Sequence, residues 1–179
     1  SSRHSPRNRQ VADALNRRGF ATLLFDLLTQ EEDRDPARRF DIPLLAQRLG
    51  IALHWLRRES SARELPVGLF GASTGAAAAI LVAAMWPEDV AAVVSRGGRP
   101  DLAGAQALPR VRAPALLVVG GSDTEVLEFT RAARAVMRAT TELAIVPGAT
   151  HLFEEPGALD QVSKAAADWF SRWLQPVAR

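Results

Sequence analysis

A doubly wound α/β domain with a mostly parallel sheet is the fold this sequence predicts, and three observations carry it. Short apolar runs alternate with longer stretches of helical periodicity along the chain. The runs are continuously apolar, which marks strands covered on both faces in a parallel sheet; a half-exposed strand would alternate. Serine, aspartate and histidine stand just beyond the C-terminal ends of three of these runs, where open parallel sheets bind their ligands. Strand–helix alternation then implies right-handed crossovers.

The elements follow in order. A helix is expected over Arg7–Arg18, with Val11, Ala14 and Leu15 on one face and Gly19 as its C-cap. Phe20–Phe25 follows as a buried strand. Leu27–Arg39 is charged and reads as a loop, and a helix is expected from about Ile42 to Arg58. Val67–Phe70 is the next strand, with a helix starting near Thr74. Val90–Ser95 is the third strand; Arg96–Ala113, with its glycines and prolines, is loop-like. Ala115–Val119 is the fourth strand. Thr124–Arg138 is a helix with Val126, Phe129, Ala133 and Val136 on its apolar side. Leu143–Val146 is the fifth strand, and the helix Leu159–Leu174 offers Val162, Ala166, Trp169, Phe170 and Trp173 for docking. With no internal repeat, low-complexity tail or linker, residues 1–179 read as a single domain.

Composition narrows the function. A chain of 179 residues can bury one core, and 47% hydrophobic residues argue against disorder. The formal net charge is +2, yet the pI is 10.2, because Lys164 is the only lysine and the remaining basic residues are arginines that do not titrate near neutrality. These arginines are scattered and form no basic stripe interleaved with aromatics, so no nucleic-acid partner is expected. The absence of cysteine excludes disulfides and thiolate metal sites and fits a reducing compartment. The start, Ser1-Ser2-Arg3-His4-Ser5-Pro6, carries no signal-peptide core. The apolar stretch Leu65–Trp86 is interrupted by Gly71, Ser73-Thr74 and Gly75, so no membrane span is expected. A cytoplasmic location follows as the expectation.

The chemistry centres on Gly71-Ala72-Ser73-Thr74-Gly75, a G-x-S-x-G pattern between a strand and an alanine-rich helix. A sharp strand-to-helix turn lifts such a serine above the sheet and crowds the backbone, so small neighbours are needed; Gly71, Ala72, Gly75 and Ala76 supply them. Ser73 is then either a nucleophile or an ordinary helix N-cap. A serine hydroxyl needs a base, and the base an orienting acid. Downstream, Asp123 follows the fourth strand in "LLVVGGSDTEV", and His151 follows the fifth in "LAIVPGATHLF". Asp123 either orients the base or caps the helix at Thr124; His151 is either the base or a loop histidine. His4 lies near the start and His54 inside a helix, so His151 has no strong rival. The order serine, aspartate, histidine is that of an α/β-hydrolase.

Other residues keep two readings. Asp26, after the first strand, either lines the site or makes a structural turn. Arg96 and Arg99, flanking Gly97-Gly98, either hold a substrate carboxylate or pair with Asp101 or Glu154. Phe153 and Leu152 either wall the pocket or pack the last helix, and Glu154-Glu155 read as solvated. No metal set is visible, and "VVGGSD" lacks both the phosphate-loop lysine and the full dinucleotide fingerprint, so no cofactor is expected.

The stretches "SSRHSPRNRQVADALNRRGFATLLFDLLT", "GLFGASTGAAAA", "VVSRGGRPDLAG", "LLVVGGSDTEVLE" and "VPGATHLFEEPGAL" resemble a bacterial, serine-nucleophile subfamily of the dienelactone-hydrolase-like α/β-hydrolases. The resemblance covers nearly the whole chain. It implies the α/β-hydrolase fold and a serine hydrolase cleaving a small carboxylic ester or lactone. Within it Ser73 is the nucleophile, His151 the base, Asp123 the orienting acid, and the Thr74 N–H part of the oxyanion hole. The prototype uses a cysteine nucleophile, so dienelactone itself does not follow as the substrate. Some members of the subfamily adjoin a phosphoribosyltransferase domain, and no such domain is visible in these residues. The alternative is a non-catalytic binding or regulatory protein on the same fold. The resemblance also sets Ser1–His4 just after a further strand, between Phe20–Phe25 and Val67–Phe70 in the sheet. These residues are therefore expected to belong to a chain about 25–40 residues longer at its N-terminus, with the second oxyanion donor at or before Ser1.

Overall fold

The computed structural model describes residues 2–175. Helix α1 (Pro6–Arg17) starts on a proline, whose fixed φ suits the first helical position, and it buries Val11, Ala12 and Leu15 on one face. A single 3₁₀ turn at Glu32–Arg34 and the short α2 (Pro36–Arg39) shape the segment expected to be a loop. Helix α3 (Ile42–Arg58) is opened by Asp41, whose carboxylate accepts the Leu44 N–H, and turns Ile42, Leu45, Ala46 and Leu53 inward.

Strand β1 (Gly68–Ala72) leads into α4 (Thr74–Met85). Ala76 to Ala79 are all buried; alanine lets this helix lie close on the sheet, and a helix apolar all round belongs in the interior. Strand β2 (Ala92–Arg96) is buried throughout, as is β3 (Ala115–Gly120). Two 3₁₀ turns, Pro100–Ala103 and Leu108–Arg110, order the connection between them. Helix α5 (Thr124–Val136), strand β4 (Thr141–Val146) and helix α6 (Ala158–Trp173) complete the chain.

The sheet runs β1-β2-β3-β4, every pair parallel. Leu69 and Val93 face a core shared with α3 and α4, whereas Ala92, Val94, Leu116, Val118 and Val146 face a second core shared with α1 and α6. Both faces are therefore covered, as the apolar runs require. The register pairs Ala72 with Arg96, Arg96 with Val118, and Gly120 with Val146, so the strands end together and the loops leaving β1, β3 and β4 meet on one rim.

Two expectations change. Phe20–Phe25 is not a buried strand: it forms no ladder, none of its residues is buried, and Leu23 is exposed. Strands are held by neighbours, and β1, which among the described residues pairs with β2 alone, does not pair with this segment. Phe20 instead packs edge-on against Phe170. Strand β4 is also less covered than a continuous apolar run suggests, with Ile145 exposed, because it forms an edge of the sheet.

Candidate active site

The turn from β1 to α4 places Ser73 at φ 52°, ψ −123°, in the left-handed half of backbone space that non-glycine residues rarely occupy. Gly71 is required there: a Cβ would overlap Gly75 O and come within 2.6 Å of Ala76 Cα. Gly75 is different, since a Cβ there would meet open space among the described residues. Crowding thus explains the first glycine of the pattern and not the second. Ser73 is half-buried, and its hydroxyl makes no cap hydrogen bond to α4. The Thr74 N–H opens α4, so it has no i−4 carbonyl inside the helix and remains free to donate.

Asp123 stands at the N-cap of α5, yet its side chain does not cap that helix either. Its Oδ2 lies 2.7 Å from His151 Nδ1. The imidazole Nδ1–H donates to the carboxylate, which leaves Nε2 free to accept a proton. The Asp123 side chain is 13% exposed and that of His151 39%, so the acid is screened while the ring reaches the surface. Glu125, the other acid nearby in sequence, is exposed.

Ser73 and His151 both border the exit of β2. The Ser73 N–H donates to Arg96 O, and the Arg99 N–H to Ser73 O. A Cβ on Gly97 would lie 3.0 Å from His151 O and 3.7 Å from His151 Cε1. Gly98 is equally constrained, because a Cβ there would collide with Ser95 Oγ and approach Ala76 Cβ to 2.5 Å. Glycines at 97 and 98 thus let the serine turn and the histidine loop close on each other. Ser73 Oγ makes no hydrogen bond among the described residues; nucleophile–base contacts often tighten only around a substrate.

The remaining expected site residues separate clearly. Asp26 accepts hydrogen bonds from the Arg3 backbone N–H and from Arg3 Nη1, both at 2.6 Å, an arrangement that ties α1's approach to the end of the 20–25 segment. Arg99 pairs with Asp101, Nη2 to Oδ2 at 2.7 Å, and lies over the Phe129 ring. Glu154 takes Arg7. Among the described residues Arg96 is therefore left without a carboxylate: it is 6% exposed, donates to Asn8 Oδ1 at 3.1 Å, faces the Phe70 ring and has Nη1 buried without a hydrogen-bond partner. Burial, with Arg7's charge nearby, lowers its pKa to about 10. Phe153 is 1% exposed and packs in the α1/α6 core, so its ring supports the histidine loop from beneath. The second oxyanion donor, expected at or before Ser1, lies outside the described residues.

Glu155, expected to be solvated, instead accepts from both the Thr150 N–H and the Thr150 hydroxyl. A five-residue separation across a turn has no sequence signature, although Pro156-Gly157 just after it marks a reversal. Among the described residues no group of three or more potential metal ligands occurs, and no helix is long and apolar enough to cross a membrane. Two surface grooves, of about 690 and 640 Å³, lie around the C-terminal end of α4, away from Ser73.

Comparisons with known proteins agree with this architecture. The chain is 54% identical to a dienelactone hydrolase from Anabaena variabilis, with a TM-score of 0.93 over 98% of this chain and 82% of that one. Est1E from Butyrivibrio proteoclasticus shares the fold at 15% identity and a TM-score of 0.81, over 96% of this chain and 83% of its own. Two Mycobacterium tuberculosis proteins, each named as a putative phosphoribosyl transferase, are 60% identical over 170 residues. That match takes in 95% of this chain and only 38% of theirs. The family model for the dienelactone hydrolase family matches residues 4–178. With an α/β-hydrolase sheet, a strained serine turn and an aspartate–histidine pair on one rim, this chain belongs to the dienelactone hydrolase family.

Proposed function

We propose that the protein is a serine hydrolase that cleaves a small carboxylic ester or lactone through an acyl-enzyme. The observation that carries this reading is the 2.7 Å Asp123–His151 hydrogen bond, made by a carboxylate that leaves its own helix uncapped to reach the ring.

In this reading Ser73 Oγ attacks the carbonyl carbon while His151 Nε2 takes the hydroxyl proton. Asp123 holds the tautomer and stabilises the imidazolium. The Thr74 N–H donates to the oxyanion of the tetrahedral intermediate, and preorganised donors of this kind each contribute about 10²–10³ in kcat. Collapse expels the alkoxide, which takes the proton from His151; in a lactone the alkoxide stays tethered to the acyl group. Water, deprotonated by His151, then hydrolyses the ester to Ser73. The short connections at 27–39 and 96–113 leave no room for a lid domain, which favours small substrates. Arg96, a cation without a carboxylate beside this rim, is proposed to favour substrates carrying a negative charge. The M. tuberculosis relatives are named for a transferase activity, and this chain spans only 38% of their length.

A fluorophosphonate probe tests the reading. The wild-type protein should be labelled and should hydrolyse p-nitrophenyl acetate, and Ser73→Ala should do neither. Equal labelling of both would remove Ser73 from the mechanism and favour a non-catalytic binding protein.

A further inference from the structure

The loop that carries His151 is closed on itself by a residue outside the Ser73–Asp123–His151 set. Glu155 Oε1 accepts from the Thr150 N–H at 3.0 Å and from Thr150 Oγ1 at 2.6 Å. Thr150 O in turn accepts the Phe153 N–H, and Glu155 O accepts the Ala158 N–H at the start of α6. The Thr150 hydroxyl holds the Glu155 carboxyl below the usual carboxylate range. On either side the loop is pinned by packing. Ala149 is fully buried, and its carbonyl accepts the Ser122 N–H; Phe153 is buried with φ 55°. Between these pins, the N–H and hydroxyl of Thr150 are held by Glu155.

We propose that Glu155 is a positioning residue: its carboxylate clamps Thr150 and so aims the adjacent His151 between Asp123 and Ser73. The proposal rests on the serine-hydrolase reading above. The His151 ring has a single hydrogen bond among the described residues, to Asp123, so rotation of its backbone carries the ring with it. A displacement of about 1 Å in a catalytic group can cost 10²-fold in rate. Glutamate suits the task because one carboxylate oxygen accepts from two donors at once, and a charged acceptor shortens both bonds.

The test compares Glu155→Ala with Glu155→Gln, whose amide oxygen still accepts both bonds, and Thr150→Val with Thr150→Ser, which keeps the hydroxyl. Four readouts are taken: kcat and KM for p-nitrophenyl acetate, the rate of fluorophosphonate labelling, the thermal midpoint, and the low-field proton resonance of His151 Nδ1. Glu155→Ala and Thr150→Val should lower kcat and the labelling rate by about 10- to 100-fold, leave KM within about twofold, and broaden or abolish the Nδ1 resonance. Glu155→Gln and Thr150→Ser should restore most of the loss and the resonance. A folded Glu155→Ala with wild-type kcat and labelling rate overturns the proposal, as does a Gln variant no better than Ala. Should Glu155→Ala fail to fold, the Thr150 pair decides, since both variants keep the carboxylate. A wild-type protein that neither labels nor turns over ester would defeat the hydrolase reading instead, and the Nδ1 resonance would still report whether the clamp holds the ring.

Discussion

Asp123 shows how a residue's role is decided by which of two hydrogen bonds it makes. At the head of α5 it could satisfy that helix's free N–H groups; its carboxylate goes to His151 instead. Asp123→Asn should therefore lower kcat by about 10⁴, the size of the effect in serine proteases where the amide selects the wrong tautomer, while the thermal midpoint stays close to wild type. A loss below about tenfold would move the acid to Glu125. Arg96 makes a second, opposite case. Its folded pKa of about 10 lies below the ordinary guanidinium value, so the folded state disfavours its charged form. That penalty is present in full below about pH 10 and relieved as pH rises from there towards the free guanidinium value, roughly 3 kcal/mol at most at neutral pH. Arg96→Met should accordingly raise the denaturation midpoint at pH 7, with the gain shrinking above pH 10. If Arg96 also serves substrate, the same variant should raise KM for esters bearing a free carboxylate and leave neutral esters unchanged; equal effects on both would make the arginine structural.

The strand–turn–helix unit 68–85 is where local sequence and packing can be told apart. Both glycines of G-x-S-x-G look equivalent in the sequence, yet only Gly71 faces atoms that a Cβ would strike. Gly71→Ala should push α4 away from β1, cost about 1–3 kcal/mol as overpacking does, and reduce kcat through the displaced Ser73. Gly75→Ala, inside the first turn of α4, should stabilise by about 0.5–1 kcal/mol through helix propensity. Urea midpoints of the two variants check the pair, and changes of the same sign would show that Gly75 is enclosed after all. The serine turn, the aspartate after β3 and the histidine after β4 were all legible because strand ends and a fixed chain order leave short sequence signals. Glu155 was not, because its partner is set by how the loop 148–157 folds back on itself.

Across the molecule, order follows the strand ladders. Amides of β2 and β3, paired on both sides and buried, should exchange with solvent most slowly. Those of residues 20–25, which join no ladder, should exchange within the fastest class. Slow exchange over 20–25, comparable to β3, would mean that this segment belongs to a sheet in solution. Native-state hydrogen exchange read by mass spectrometry distinguishes these outcomes.

Apolar runs, helical periodicity and residues at strand ends are all local signals, and they suffice for the layered α/β class, for four of the strands and for the places of Ser73, Asp123 and His151 after three of them. That Phe20–Phe25 lies outside the sheet emerges from packing alone, because a strand is defined by a neighbour and not by its own apolar run. The same holds for the two arginines that flank Gly97-Gly98. Neutralising a guanidinium requires a carboxylate within reach in space; among the described residues Arg99 finds Asp101, Arg7 takes Glu154, and Arg96 is buried without one.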